Sequence, residues 1–305
     1  MGNGAVVGQF TIAPVRSDMI VKAGEYSPDG KMVGQPPTAS NMSFPLYAAS
    51  QSAPLQHLSQ TGFNQLIQTS VNDSGAIVGY SLLSTQGHLI YWSSATAAPK
   101  AIATIPGSYI GAAEIDNNGR IAFTAGGTEA NTGYFMSSIS ATPVLVGVGT
   151  ATLTSSGAIL CGQQNSWSVF TTPKSSPTVL NDVSGKPAQF AFAGHNSIIV
   201  GGGTANPLYW QPATGYAAQI LPTLPNWTTA RAESINATGQ ISGQYTDYTG
   251  THACYWPSIT SAPIAFALGA FSVQVTDAPL IFDSGIILAT DGQSGSYLLS
   301  PSHLN

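Results

Sequence analysis

The sequence predicts an all-β fold, a β-propeller of seven four-stranded blades formed by residues 1-305 as a single domain, and three observations predict it. The first is a repeat. Ser70 to Trp92 (SVNDSGAIVGYSLLSTQGHLIYW) and Ser234 to Trp256 (SINATGQISGQYTDYTGTHACYW) each read as an apolar residue, an Asn-containing turn ending in Gly, an alternating strand, a polar loop and a strand ending in Tyr-Trp. That is a β-hairpin written twice. The second is the period. The turn residues Gly30, Gly75, Gly119, Gly157, Ser197 in the place of Gly, Gly239 and Gly285 recur every 38 to 46 residues, the length of a propeller blade. The third is punctuation: 33 glycines, 20 prolines and many β-branched residues interrupt every stretch that would hold a 3.6-residue period. Six and eight blades are the neighbouring counts.

In chain order, the N-terminal stretch holds two short apolar segments, Ala5 to Ile12 and Met19 to Ala23, too close together for a whole unit. The second belongs to unit one and the first is left over. After each marker comes an alternating apolar strand: Met32-Val33, Ile77-Val78, Ile121, Ile159-Leu160, Ile199-Val200, Ile241 and Ile286-Ile287. The next strand carries an aromatic: Tyr47, Trp92, Phe135, Phe170, Trp210, Trp256 and Tyr297. A last strand is visible at Lys100 to Thr104 and at Ala217 to Leu221, but the seventh unit runs out after Ser296 to Leu299. An orphan strand at one end and a missing one at the other predict that the N-terminal strand closes the C-terminal blade and removes an open edge. The turns at Asn72-Asp73, Asp116-Asn117, Asn236 and Asp283 place Asn or Asp where side-chain bonding to the backbone is needed, so these acids are read as structural.

Composition narrows the partners. Charged residues are 7% of the chain, against roughly 25% in an average soluble protein. Eight basic residues, of which Arg16, Arg120 and Arg231 are the arginines, make no positive stripe, which argues against nucleic acid. The net charge of -5 implies no strong steering. No run approaches 18 apolar residues, so no membrane insertion is expected, and the N-terminus MGNGAVVGQF has neither a secretory pattern nor the Ser or Thr at position 6 that myristoylation needs. Cys161 and Cys254 replace apolar strand residues and read as buried free thiols. Four glycosylation sequons (Asn41, Asn72, Asn226, Asn236) exist, two of them inside the repeated turn.

The stretch from Leu208 to Trp256 resembles the extracellular HAF repeat family, named for a His-Ala-Phe tripeptide. Its units run from an aromatic-Trp strand to a Ser-x-Ala-x-x-Ile-Asn-x-x-Gly-x-x-x-Gly core. The tripeptide position holds His252-Ala253-Cys254 here and His88-Leu89-Ile90 in the second unit, and units four, five and seven keep only the strand rhythm. The resemblance implies a repeat-built β fold of secreted and surface proteins and brings no catalytic residues.

Chemistry-bearing patterns are scarce. The sialidase-type Asp box fails, because Ser70 and Asp73 are three apart and Ser27 is followed by Asp29-Gly30. The acids left for a glycosidase pair are Glu25, Glu114, Glu233, Asp247 and Asp277. Glu25, Glu114 and Glu233 fall near one strand of their units, as a polar channel ring or, in the sharper reading, a catalytic pair. His57, His88, His195, His252 and His303 never pair closely, so no metal is expected. No Gly-x-Ser-x-Gly elbow and no phosphate loop is present, so neither an enzyme nor a cofactor is expected. Strand aromatics such as Tyr91-Trp92 read as blade packing. Phe63, Tyr109, Trp227 and Phe271 instead precede the marker by 10 to 14 residues, in loops expected to share one face, and are the candidate binding residues. Trp167 lies on a different loop. The expected function is a non-enzymatic structural or interaction propeller, extracellular or in a virion (a phage tail or capsid appendage), with other proteins of the assembly as partners. A lectin-like binder of surface glycan is the alternative, and a polysaccharide-acting enzyme a further one.

Overall fold

The computed structural model describes residues 10–14, 26–35, 45–63, 65–81, 86–106, 108–126, 131–192, 194–195, 197–265, 280–290 and 296–301. The segment from Met19 to residue 23, and Glu25, Asn41, Phe271, Asp277 and His303, lie outside them. The fold is a β-propeller of seven antiparallel sheets, six of four strands and the first of three among the described residues. The second sheet is typical, its strands Leu66–Val71, Ile77–Ser81, Gln86–Trp92 and Lys100–Pro106 lying in sequence order. Among the described residues the one helical segment is a 3-10 turn at Pro212–Thr214. Chain contacts group into two compact units: residues 16–163 with 168–177, and residues 1–15 with 164–167 and 178–305.

All seven markers have a left-handed backbone. Gly30, Gly75, Gly119, Gly157, Gly239 and Gly285 have φ between 74° and 94°, and Ser197 adopts φ 64° in the position where the repeat lacks its glycine. Each glycine-marked turn closes the same way: the N–H of Asn72 donates to the Ala76 carbonyl at 3.0 Å and that of Gly75 to the Asn72 carbonyl at 2.9 Å, and Asn236 with Gln240 and Gly239 repeats it at 3.0 and 3.0 Å. This is a three-residue hairpin loop, a type I turn followed by one left-handed residue.

The second strand of most sheets is apolar without alternation because it is covered on both faces: Ile121–Gly126 is buried at every residue, and Ile159, Leu160 and Cys161 are buried in succession. The aromatics of the third strands complete this packing. Trp92, Trp210 and Trp256 are fully buried, and each indole N–H donates to the carbonyl of the segment entering its own sheet: Ser59 at 2.9 Å, Asn181 at 2.8 Å and Pro222 at 2.7 Å. One residue thus contributes apolar burial and satisfies its polar handle; truncation of such a side chain to Ala costs about 3–5 kcal/mol. Cys161 and Cys254 are free and buried, as the strand reading implies.

Between successive sheets the repeated turns are joined by side chains. Asn72 donates its amide to the Asp116 carbonyl at 2.9 Å, and Asn236 to that of Phe282 at 2.9 Å. The backbone N–H groups of Asp29, Asp73 and Ala237 donate to Asp73, Asn117 and Asp283 of the following turn at 3.0, 2.9 and 2.8 Å. The acids of these turns are therefore structural. Asn72 and Asn236 are 3% and 2% exposed, so two of the four sequons are occupied by the fold itself.

The seventh sheet runs Leu280–Ile281, Ile287–Thr290, Ser296–Pro301 and then Phe10–Pro14. Phe10 pairs with Pro301 and Pro14 with Tyr297, so the N-terminal strand does complete the C-terminal blade. Deleting residues 1–14 leaves Ser296–Pro301 as a bare edge. The truncated chain is expected to melt at lower temperature and to aggregate, as read by thermal unfolding with light scattering; an unchanged melting temperature and a monodisperse monomer would show that this strand is dispensable.

Candidate functional site

The candidate aromatics occupy different surroundings. Phe63 closes a turn, its N–H donating to the Gln60 carbonyl at 2.9 Å, and packs half-buried against a core cluster containing Val33, Tyr47 and Trp92. Trp227 closes a like turn onto Leu224, stacks on Tyr245 at 4.2 Å and meets Trp256 edge-on at 6.0 Å. Its indole N–H is buried and has no hydrogen-bond partner among the described residues. Tyr109 is the first residue of the strand Tyr109–Ile115 and is 55% exposed. Phe271 lies outside the described residues.

The acids are similarly separated by their partners. Glu114 accepts the Leu153 N–H at 3.0 Å, the place taken in other repeats by serine: Ser70 accepts from Ile115 at 3.3 Å and Ser234 from Ile281 at 3.2 Å. Burial pushes the Glu114 carboxyl up to about 7, the Leu153 N–H pulls the other way, and Asp116 adds to the rise. Asp247 caps its own hairpin, accepting from the Thr249 N–H at 2.8 Å and lying 3.4 Å from His252. These two carboxylates thus serve backbone and neighbouring side chains.

Glu233 is different. In the sixth sheet Ala232 pairs with Gly243 and Ser234 with Ser242, so Glu233 is the extra residue of a β-bulge. Its side chain is fully buried, and Oε1 accepts from Arg231 Nε and from Gln244 Nε2, the latter at 2.6 Å. Arg231 and Gln244 stand opposite each other across the ladder. The guanidinium lies 4.8 Å from the centre of the Phe190 ring in the fifth sheet, a cation–π contact. Gly202 permits this approach, since a Cβ there would meet the Arg231 Cβ at 2.9 Å.

Arg231, Gln244 and Phe190 line a cleft of about 270 Å³, together with Thr204, Thr229 and Thr246, while Glu233 lies buried behind the first two. Tyr245 also borders it, with its hydroxyl pushed up to about 12 by burial and by Asp247 and Cys254, so it stays protonated at neutral pH. Trp227 touches the cleft only through Tyr245, by stacking on it. The sequence singled out Glu233 and Trp227, which contact the lining residues Arg231 and Tyr245, but not the cleft itself, one wall of which comes from Phe190 and the Gly203-Thr204 hairpin of the preceding sheet. A lone arginine two residues before a glutamate in a charge-poor strand was the available signal.

No protein-family model matches the chain, and no curated protein does. Solved structures do match in fold. A streptogramin B lyase is 13% identical, with 98% of this chain and 100% of that one covered and a TM-score of 0.60. YCF48 bound to D1 peptide is 8% identical, with 96% and 95% covered and a TM-score of 0.63. The WD40 repeats of RRP9 are 10% identical, with 96% and 100% covered and a TM-score of 0.58. At these identities the likeness is one of fold.

Glu114 generates a pH prediction. With its pKa raised from about 4.5 to about 7, the folded protein holds a proton that the unfolded chain has released, so stability falls as pH climbs through that window and the penalty is complete above it. Glu114→Gln keeps an acceptor for Leu153 and removes the penalty. Denaturant unfolding is expected to show the variant more stable at pH 8, by on the order of 2 kcal/mol, and close to the parent near pH 4.5; an equal difference at both pH values would contradict this.

Proposed function

We propose that this chain is a non-catalytic interaction propeller of an extracellular or virion assembly, and that the cleft between its fifth and sixth sheets receives a segment of a partner protein. The observation that carries the reading is a cleft rich in hydrogen-bonding groups whose aromatic rings are already engaged. Tyr245 is stacked on Trp227 and Phe190 carries the Arg231 guanidinium, while Arg231, Gln244, Thr204 and Thr229 border the open space. A sugar-binding site draws on free aromatic faces, whereas an extended peptide presents a row of carbonyl acceptors to such donors. Catalysis receives no support from Glu233, whose Oε1 is committed to Arg231 and Gln244.

The fold is compatible with this use, since YCF48, of similar architecture, was solved with a bound peptide. The resemblance to HAF-type repeats supports an extracellular setting, and the scarcity of charge beside abundant Ser, Thr, Asn and Gln supports an extracellular or virion one. Tyr248, 89% exposed, is a large side chain available to a partner.

A photo-cross-linking amino acid placed at Thr204, at the cleft, is expected to give one recurrent protein adduct in the native source. The same group at Leu145, 58% exposed on the outer strand of the third sheet, serves as the control. Absence of any protein adduct at Thr204, or equal labelling at both positions, would remove the proposal.

A further inference from the structure

Resting on the reading of the cleft as a peptide site, we infer that its specificity element is a carboxylate subsite formed by the two Nη groups of Arg231. An arginine offers five N–H donors in a planar fork. Arg231 gives its Nε–H to Glu233, and no other hydrogen bond from its guanidinium is made to a described residue. Both Nη groups are therefore left for an incoming acceptor. Arg120, by contrast, is spent on Asp116 and on the Ser155 and Ser156 carbonyls at 3.3 and 3.5 Å.

The fork is also held in place before any ligand arrives. Glu233 fixes its Nε edge, its Cζ sits over the Phe190 ring 4.8 Å from the ring centre, and Gly202 admits its stem. Gln244 shares the same Glu233 oxygen at 2.6 Å, so the buried negative charge is divided between two donors. A side chain already ordered in this way loses little rotamer freedom on binding. Its exposure, 29%, is enough for contact and too little for full hydration. Two parallel N–H groups match a carboxylate in a bidentate pair, which is stronger and more directional than a bond to a neutral carbonyl. The carboxylate comes from an acidic side chain or from a chain end; the chemistry is the same, and the test separates the two.

The test is an NMR titration of the full chain, following the Arg231 Nε–H and Gln244 side-chain amide signals with three probes. They are a blocked glycine pentapeptide with a central glutamate, the same peptide with glutamine, and an acetylated glycine pentapeptide with a free C-terminus. Saturable shifts with at least one carboxylate peptide, about tenfold tighter than with the glutamine peptide, are expected. The stronger of the two carboxylate probes identifies the source. Arg231→Gln is expected to abolish the Gln244 shifts, and Arg231→Lys, which keeps the charge and loses the fork, to weaken them several-fold. Equal shifts with the glutamine peptide, or none with either carboxylate, would overturn the subsite. If Thr204 still cross-links to a protein in that case, the interaction reading stands without it; loss of the adduct as well would remove both.

Discussion

The structure depends on one repeated interaction, the hydrogen bond from the turn of one sheet to the turn of the next. Asn72 shows how a single side chain does this. Its Oδ1 accepts the Ala76 N–H at 3.0 Å and so closes its own turn, while its amide donates to the Asp116 carbonyl 44 residues further on. Asn236 repeats the arrangement with Gln240 and Phe282. Each bond is worth about 1 kcal/mol net, but leaving those buried carbonyls unmet would cost more. Amides such as Asn72 and Asn236 share the task with a few turn carboxylates, Asp73 and Asp283, so a chain with 7% charged residues can still satisfy its backbone.

The proposed site arises where this pattern is altered. In the second sheet the bulge position holds Thr69, whose hydroxyl donates to the Ala113 carbonyl of the next sheet at 2.7 Å. In the sixth sheet the same bulge position holds Glu233, which turns to Arg231 and Gln244 instead. Replacing a stitch by a buried acid places a held arginine at the edge of a cleft. A comparable replacement, Glu114 for the serine of other repeats, keeps the stitch and adds a titrating group to it.

Most of the fold was legible because its causes are local and recur. The markers require φ > 0, and even Ser197, read from spacing alone, adopts it. The strand aromatics declared the third strands, and the orphan segment at the start declared the closing strand, which pairs at Phe10–Pro14. The site was less legible. Trp227 and Phe63 were grouped with Tyr109 by their distance from the marker, yet that distance says nothing of which way a ring turns, and two of the three fold back onto their own cores. Glu25, Glu114 and Glu233 share a strand position by sequence, but Glu233 stands one residue further from its marker and falls on a bulge, whereas Glu114 pairs with Ala122 inside the ladder. The cleft itself joins side chains from two sheets, and no sequence window contains both.

Hydrogen–deuterium exchange in Asn72→Ala tests most directly whether the turns are coupled across sheets. The account predicts faster exchange both in residues 72–76 and in residues 116–120 of the following turn, with residues 236–240 unchanged, because the lost amide served the Asp116 carbonyl as well as its own loop. Faster exchange confined to residues 72–76 would contradict it.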